Sequence, residues 1–284
     1  MQEYNTIDIS TSSLPDIINQ LHQPPARLTG KGNKHLLNTG IRVGIVGARK
    51  FTPYGREVTE DIASSLGRAG VTVVSGLALG VDSIAHKACI DAGGKTIAVL
   101  PSGLDKIYPA NHYQLSRQIL EKDGLLISEY EASHLPMRHD FIERNRIIAG
   151  LSDVLIVTEA AVASGSLHTA GFALELGITV MAIPGNITSL YSAGCNQLIQ
   201  NGAFPILSPQ NILDHLGITQ KDSVKYLPEN LAEAKILDNI SIKPANTQAL
   251  MEATQLSPSE LQTQLTLLEI KGVVEIQNGL WRVK

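Results

Sequence analysis

The sequence predicts an α/β protein with a Rossmann-like, doubly wound, mostly parallel sheet, followed by a small C-terminal winged-helix domain. Between about residues 41 and 207, short β-branched runs alternate with longer amphipathic stretches. The short runs are continuously apolar, which is typical of strands that helices bury on both faces. Near the C-terminus the composition changes, and three helical patterns precede two short strands. That order of elements, in a segment of this size, is typical of a winged helix.

Six runs in the first region are predicted to be strands. They are IRVGIV (41–46), VTVVS (71–75), KTIAVL (95–100), GLLIS (124–128), DVLIVT (153–158) and ITVMAI (178–183). The stretches between them have helical periodicity, as in GREVTEDIASSLGRAG, where Gly70 occupies the place of a glycine that ends a helix. Strand, helix and strand at this spacing favour a parallel sheet with helices on both faces.

The chain divides into four predicted segments. Residues 1–40 contain paired prolines and several glycines, and we expect a leader that packs on the core. Residues 41–218 form the Rossmann-like domain. Residues 219–230 are polar, carry a proline and lack periodicity, so we interpret them as a linker. Residues 231–284 form the winged-helix domain.

Local sequence specifies two features of the last segment. Ser257, Pro258 and Glu260 have the spacing of an N-cap, a proline at the first helical position and a glutamate at the third. The pair Asn278-Gly279 is a preferred two-residue turn between antiparallel strands. We therefore expect a helix from Pro258 and a β-hairpin near the end of the chain.

The overall composition limits the classes of function. The 284 residues carry a formal net charge of −4, which argues against a large nonspecific nucleic-acid surface but permits a small basic pocket. The cysteines, Cys89 and Cys195, are far apart and lack metal-ligand spacing. We therefore expect no metal site, no disulfide and a cytoplasmic location. We identify no signal peptide and no apolar run long enough to cross a membrane, and we expect no membrane association.

Residues directly after the strands are the first candidates for function, because ligands bind at the carboxyl ends of strands in an open parallel sheet. The loop after the first run contains Gly47, which permits close backbone approach, and the cations Arg49 and Lys50. The GxGxxG fingerprint of dinucleotide-binding proteins is absent there, and the chain has no GxxxxGK[ST] phosphate loop. We therefore expect no nucleotide cofactor.

Asp82 and His86 follow the second run and are four residues apart, so they share one face of a helix. The pair fits acid–base chemistry or half of a metal site, and it also fits hydrogen bonding that supports the neighbouring loop. The sequence favours the supporting role.

Ser164, Gly165 and Ser166 follow the fifth run and precede a strong helical pattern. Free N–H groups and the positive end of the helix dipole make such a turn suitable for a phosphate. Ordinary helix capping explains the same residues equally well.

The stretch RHDFIERNRIIAG (138–150) concentrates three arginines and an aromatic ring. Asp140 and Glu143 have capping-box spacing, which predicts a helix from Phe141. Arg144 and Arg146 are two residues apart and cannot point the same way, so we expect that one binds a ligand and the other pairs with a carboxylate. An arginine matches the geometry of a phosphate, and an exposed ring offers a surface on which a base stacks.

Eight motifs occur in order along the chain: GARKFTPYG, SGLALGVDSIAH, IAVLPSGLDKIYP, LLISEYE, FIERNRIIAGLSDVLIV, SGSLHTA, IPGN and GCNQLIQNGA. Together they closely resemble the DNA processing protein A (DprA, also called Smf) family of bacteria, over roughly residues 20–215. The C-terminal module is similar to the winged-helix domain that many members carry.

The resemblance implies a non-enzymatic protein that binds single-stranded DNA during natural transformation, protects it and loads the RecA recombinase. It also implies a homodimer that forms through the Rossmann-like domain. The loops and the resemblance together give these expected DNA-binding residues: Gly47, Arg49, Lys50, Arg138, Phe141, Arg144, Asn145, Arg146, Ser164, Gly165 and Ser166.

Two positions depart from the family pattern. Many members have arginine where this chain has Leu79, and most have a hydrophobic residue where it has His168. The first difference removes either one phosphate contact or one structural ion pair. The alternative to a DNA-binding protein is a nucleotide phosphoribohydrolase-like enzyme acting on nucleoside monophosphates. The chain lacks the double glycine of that family's PGGxGT loop, and Glu175 lies late in the helix that follows.

Overall fold

The structure is a computed structural model that describes residues 4–10, 14–218, 228–242, 244–277 and 279–283. It contains two compact units, Met1–Thr219 and Gln220–Lys284. Most of the expected linker (residues 219–227) and Asn278 of the expected hairpin turn lie outside the described residues. No helix among the described residues is long and apolar enough to cross a membrane.

The first unit contains nine strands and seven α-helices among its described residues. The strands are β1 (Ile7–Ile9), β2 (Leu28–Gly32), β3 (Arg42–Val46), β4 (Thr72–Ser75), β5 (Thr96–Leu100), β6 (Leu125–Ser128), β7 (Val154–Val157), β8 (Thr179–Ala182) and β9 (Phe204–Pro205). The helices are α1 (Pro53–Arg68), α2 (Val81–Asp91), α3 (Tyr113–Glu121), α4 (Asp140–Gly150), α5 (Ser166–Glu175), α6 (Ala193–Gln200) and α7 (Pro209–His215). All six strands predicted from the apolar runs form, and Gly70 follows α1 with a left-handed φ of 73°.

The nine strands form one sheet in the order β1-β2-β6-β5-β4-β3-β7-β8-β9. Seven neighbouring strands of this sheet, in the order β6-β5-β4-β3-β7-β8-β9, pair in parallel, as predicted. The chain runs outward from β3 to β6 and then returns to place β7 on the other side of β3. A doubly wound sheet has its ligand-binding crevice at such a reversal, beyond the carboxyl ends of the two strands. The topology therefore places a crevice at the ends of β3 and β7.

Residues 1–40 do more than pack on the core. They supply β1 and β2, and β2 pairs antiparallel with β6, so this segment extends the sheet at one edge. The sequence analysis did not predict these strands. Ile18 is fully buried in the same apolar cluster as Ile147 of α4, which anchors the segment to one face of the sheet. A second apolar cluster, with Ile62 and Val73, fills the opposite face.

The described residues of the second unit form three helices and two antiparallel strands: α8 (Leu231–Ile242), α9 (Thr247–Thr254), α10 (Pro258–Ile270), β10 (Val274–Gln277) and β11 (Leu280–Val283). The helices and Trp281 of β11 enclose a separate apolar core. Ser257 caps α10 as predicted, because its hydroxyl accepts a hydrogen bond from the Glu260 backbone N–H at 3.3 Å. Pro258 occupies the first position of that helix.

Candidate functional site

A cleft of about 780 Å³ lies where the topology places it, beyond the carboxyl ends of β3 and β7. We call it the switch-point cleft. Ten of the eleven residues expected to bind DNA line it: Gly47, Arg49, Lys50, Arg138, Phe141, Arg144, Asn145, Ser164, Gly165 and Ser166. Because they come from three separate segments, their convergence depends on the fold and not on proximity in the sequence.

The loop between β3 and α1 carries Arg49. Hydrogen bonds to Glu159, a residue that is 2% exposed, hold this loop in place. One Glu159 carboxylate oxygen accepts a hydrogen bond from the Thr52 N–H at 2.9 Å, and the other accepts one from the Thr52 hydroxyl at 2.7 Å. The Ala48 N–H donates to the Glu159 carbonyl at 2.7 Å. The loop is therefore fixed at both ends. The sequence analysis missed Glu159, although an acid two residues after a buried strand is a signal for such a role.

Gly47 shows why this loop begins with glycine. A Cβ at this position would lie 2.6 Å from a methyl carbon of Val81 in α2. Any side chain would therefore separate the loop from the helix. The close approach leaves the following residues, Arg49 and Lys50, exposed at the mouth of the cleft.

Phe141 lies between two other side chains of the cleft wall. The guanidinium carbon of Arg49 lies over its ring, 4.7 Å from the centroid. The Tyr108 ring meets it nearly edge-on, with 5.5 Å between the centroids and 73° between the planes. Cation–π and edge-to-face contacts both stabilise such an arrangement. The sequence analysis did not single out Tyr108.

Arg144 lies beneath the cleft and is 2% exposed. One of its terminal nitrogens donates to the Gly76 carbonyl at 2.6 Å and also to the Val99 carbonyl. Burial lowers the pKa of Arg144 from 12.5 to about 10, so it remains charged at neutral pH. The side chain ties the end of β4 to β5 and forms part of the cleft floor.

Arg146 was expected among the DNA-binding residues, but it does not line the cleft. It is 7% exposed and forms an ion pair with Glu129, with 2.7 Å between nitrogen and oxygen. A longer contact of 3.8 Å joins it to Glu143. As predicted, Arg144 and Arg146 point to different sides of α4. Arg146 is the one that pairs with a carboxylate, and Arg144 donates hydrogen bonds to backbone carbonyls.

The start of α4 also differs from the expected capping box. The helix begins at Asp140 itself, and His139 precedes it as the N-cap. The buried Asp140 carboxylate accepts a hydrogen bond from the Met137 N–H at 2.7 Å and contacts the His134 ring at 2.7 Å. Asp140 therefore holds the loop that carries Arg138, and it does not cap the helix after it.

Asp82 and His86 support the loop after β4, as the sequence favoured. The Asp82 carboxylate accepts a hydrogen bond from the Gly76 N–H at 3.1 Å, and burial raises its pKa. His86 accepts from the Leu77 N–H at 3.3 Å, and its other ring nitrogen lies 2.6 Å from the Thr96 hydroxyl. That hydroxyl donates its proton to the Val73 carbonyl, so the histidine must donate to it and is the neutral Nδ1–H form.

Burial and nearby positive charge lower the pKa of His86 to about 3, which keeps the ring neutral near pH 7. Both side chains of the pair are thus occupied in holding backbone. Among the described residues, no group of three or more His, Cys, Asp or Glu side chains has the arrangement of a metal site.

The start of α5 forms the wall of the cleft opposite Phe141, and it places hydroxyl groups there. The Ser164 and Ser166 hydroxyls lie 2.7 Å apart, and the Asn145 amide donates to the Gly165 carbonyl at 3.4 Å. Thr169, one turn into the helix, is 1% exposed, and its hydroxyl has no hydrogen-bond partner. A helix N-terminus with spare hydroxyl donors suits an anion. Thr169 was not predicted from the sequence.

Three cations remain exposed at the mouth of this cleft: Arg49, Lys50 and Arg138. In the described part of the chain, no carboxylate lies within ion-pairing distance of any of them. Together with the α5 turn and the Arg49–Phe141 pair, they form a surface for a ligand that combines negative charge with flat rings. Glu175, the residue weighed for the hydrolase alternative, is the last residue of α5 and does not line the cleft.

Comparison with known proteins gives two family matches. Residues 5–217 match the family described as "DNA recombination-mediator protein A", and residues 226–279 match the family described as "DprA winged helix domain". The chain is 41% identical to the DNA processing protein DprA of Bacillus subtilis over 76% of this chain and 72% of that protein. It spans between 59% and 72% of the length of five curated relatives that it matches.

Two solved structures agree with the fold. DNA processing protein A from Streptococcus pneumoniae has a TM-score of 0.69 and 40% identity, over 75% of this chain and 74% of that one. The protein of the same name from Helicobacter pylori, whose single-stranded DNA binding mode its structure describes, has a TM-score of 0.69 and 34% identity, over 75% of this chain and 96% of that one. The first family match alone spans most of the chain. The chain therefore belongs to the DNA processing protein A (DprA/Smf) family.

Proposed function

We propose that this protein binds single-stranded DNA in the switch-point cleft and acts as a recombination mediator. The observation that carries the proposal is the convergence of three exposed cations, a helix N-terminus lined with hydroxyl groups and an aromatic wall in that one cleft. The single-stranded DNA binding mode described for the Helicobacter pylori relative supports it. The proposed interface consists of the predicted residues except Arg146, with Arg144 in the floor.

The chemistry of this cleft favours a single strand over a duplex. Lys50 and Arg138 fit contacts to phosphates, which carry no sequence information. The aromatic wall needs a base that has left its stack, which a single strand offers at little cost. We therefore expect little preference for base sequence.

The described residues of the winged-helix unit offer few cations for a second DNA site. Its cations there are Lys235, Lys271 and Arg282. The first donates to the Thr254 carbonyl, and the others pair with carboxylates of Glu233 and Glu275. We propose that residues 231–284 contact another protein and that single-stranded DNA binds to the domain formed by residues 41–218.

We further propose that the protein is not an enzyme and uses no cofactor, because the candidate acid–base pair, Asp82 and His86, is engaged in holding backbone. From the family resemblance we also propose a cytoplasmic protein that protects incoming DNA and loads RecA during natural transformation. A homodimer is part of this proposal. Phe204 of the edge strand β9 is 55% exposed, and Leu207 is 79% exposed, which suits burial against a second copy. Sedimentation at the mass of one chain would contradict the dimer.

Recombinase loading has a direct assay. RecA assembly on a fluorescent single strand coated with single-strand-binding protein should begin sooner when this protein is added, because a mediator holds the strand open for RecA. The matched control is the same chain carrying Lys50→Ala and Arg138→Ala, which should accelerate assembly less. An unchanged lag with the wild-type protein, despite DNA binding, would remove RecA loading from the proposal.

A further inference from the structure

His168 lies in the switch-point cleft, and the proposed function gives it no role. Among the described residues it is the only histidine that lines this cleft, and it is exposed there. In the same part of the chain, neither of its ring nitrogens has a hydrogen-bond or ion-pair partner. The position also departs from the family pattern, in which a hydrophobic residue is usual. The ring is therefore available to a ligand.

His168 belongs to the first turn of α5, next to hydroxyl groups that suit an anion. Its backbone N–H donates to the Gly165 carbonyl at 3.2 Å, within the turn that carries Ser164 and Ser166. The neighbouring Thr169 also lines the cleft, and its buried hydroxyl lacks a hydrogen-bond partner in the described structure. A buried polar group without a partner costs free energy, which a bound acceptor would relieve. These hydroxyl groups and the His168 ring together form a site for one phosphate.

The groups that face His168 disfavour a positive charge on its ring while the cleft holds no ligand. The titratable side chains that other elements contribute to the cleft are Arg49, Lys50, Asp82, Tyr108, Arg138, Arg144 and Tyr191. Four of these are cations, and the one carboxylate among them, on Asp82, is buried and bonded to backbone N–H groups. Neither Glu143 of α4 nor Glu175 at the end of α5 lines the cleft. The positive end of the α5 dipole acts in the same direction as the cations.

A bound phosphate reverses this balance, because an anion beside the ring favours the charged imidazolium. Histidine is the side chain whose charge ordinarily changes between about pH 5 and 8. The protonated ring donates a charge-assisted hydrogen bond, which is stronger than the bond from a neutral ring. By linkage, DNA favours protonation of the ring by the same factor as protonation favours DNA. The added affinity is therefore present at low pH and is lost as the pH rises.

We propose that the protonated His168 ring donates a hydrogen bond to a phosphate of the strand at the start of α5, so that the protein binds single-stranded DNA more tightly as the pH falls. The inference rests on the proposed binding of single-stranded DNA and adds regulation by pH at that site. Lys50 and Arg138 hold the strand at any pH in this range, and His168 adds a contact that depends on the proton.

The test measures the binding of oligo-dT by fluorescence anisotropy of the full chain at about pH 5.5 and about pH 8, near the two ends of the range in which histidine changes charge. The wild-type protein should bind about tenfold more tightly at the lower pH, as expected for one hydrogen bond to a charged group. The plot of log affinity against log salt should also be steeper there by about 0.7, the contribution of one single-strand phosphate contact.

Two substitutions at this exposed position separate the charge from the fold. His168→Leu should lose both pH effects and retain most of the affinity at the higher pH, where the wild-type ring is neutral. His168→Arg should bind tightly at both pH values, because a guanidinium stays charged throughout. The matched control is His35→Leu, the same exchange at an exposed histidine before β3, at the opposite end of the sheet. It should keep the wild-type pH dependence.

Other histidines give the experiment its contrary outcome. His134 and His139 contact the Asp140 carboxylate at 2.7 and 3.0 Å and flank Arg138 in sequence. If His168→Leu keeps the full pH dependence, the proton acts through that loop and the assignment to His168 is wrong. If the wild-type protein binds oligo-dT equally at both pH values, the inference fails while DNA binding stands. If it does not bind oligo-dT at either pH, the proposed function fails and the inference fails with it.

Discussion

Replacing Arg144 with alanine is expected to lower the free energy of unfolding by about 2–6 kcal/mol, because two buried carbonyls lose their donor and each costs about 1–3 kcal/mol when unsatisfied. Those carbonyls belong to Gly76 and Val99. The substitution also removes the positive charge that acts on the buried carboxylate of Asp82. Urea denaturation of both proteins at neutral pH measures the difference.

The matched control for this prediction is Arg49→Ala, which removes an exposed arginine of the same cleft. A surface substitution of this kind usually changes stability by less than about 0.5 kcal/mol. If Arg144→Ala were as stable as the wild-type protein and only DNA binding fell, the guanidinium would have to face the ligand, and its assignment to the cleft floor would be wrong.

The double variant Lys50→Ala/Arg138→Ala is expected to bind oligo-dT at least about tenfold more weakly at low salt, because it loses two phosphate contacts to charged donors. It should also flatten the plot of log affinity against log salt by about 1.4, since each single-strand phosphate contact contributes about 0.7 to the slope. Anisotropy titrations over a salt series measure both quantities. The weakening should be similar across base sequences.

Arg68→Ala/Lys122→Ala is the control for net charge. These cations are exposed at the carboxyl ends of α1 and α3. Each of these helices leads into the amino end of a strand, so both cations lie at the end of the sheet opposite the switch-point cleft. The control pair changes the net charge by the same amount. If it weakened binding as much as the cleft pair, the attraction would come from overall charge and not from the switch-point cleft.

The sequence predicted the parallel part of the sheet because strands buried on both faces must be continuously apolar. It also predicted the convergence of the cleft residues, since parallel strands place their following loops at one edge. Both arguments depend on patterns that repeat over many residues. The strands β1 and β2 are the last two strands at one side of the sheet, their burial is partial, and prolines and glycines interrupt the pattern, so residues 1–40 gave no clear strand signal.

The orientation of individual side chains was harder to predict from the sequence. Spacing established that Arg144 and Arg146 point to different sides of α4, but which one meets a carboxylate depends on Glu129, which comes from a distant segment. The role of Glu159 depends in the same way on Thr52, more than a hundred residues away in sequence. The expected cap at Asp140 failed because its carboxylate bonds the preceding Met137 N–H and not an amide of the helix. Pairings of this kind are set by tertiary packing.

The binding of oligo-dT compared with a duplex of equal length, at about 50 mM salt, tests the central claim most directly. The account predicts tight, salt-sensitive binding to the single strand and an affinity at least about tenfold lower for the duplex, because phosphate contacts are available in both but a stacked base is available only in the strand. Equal affinity for the two would contradict a cleft built for unstacked bases. No binding to oligo-dT at this salt would contradict the proposed function itself.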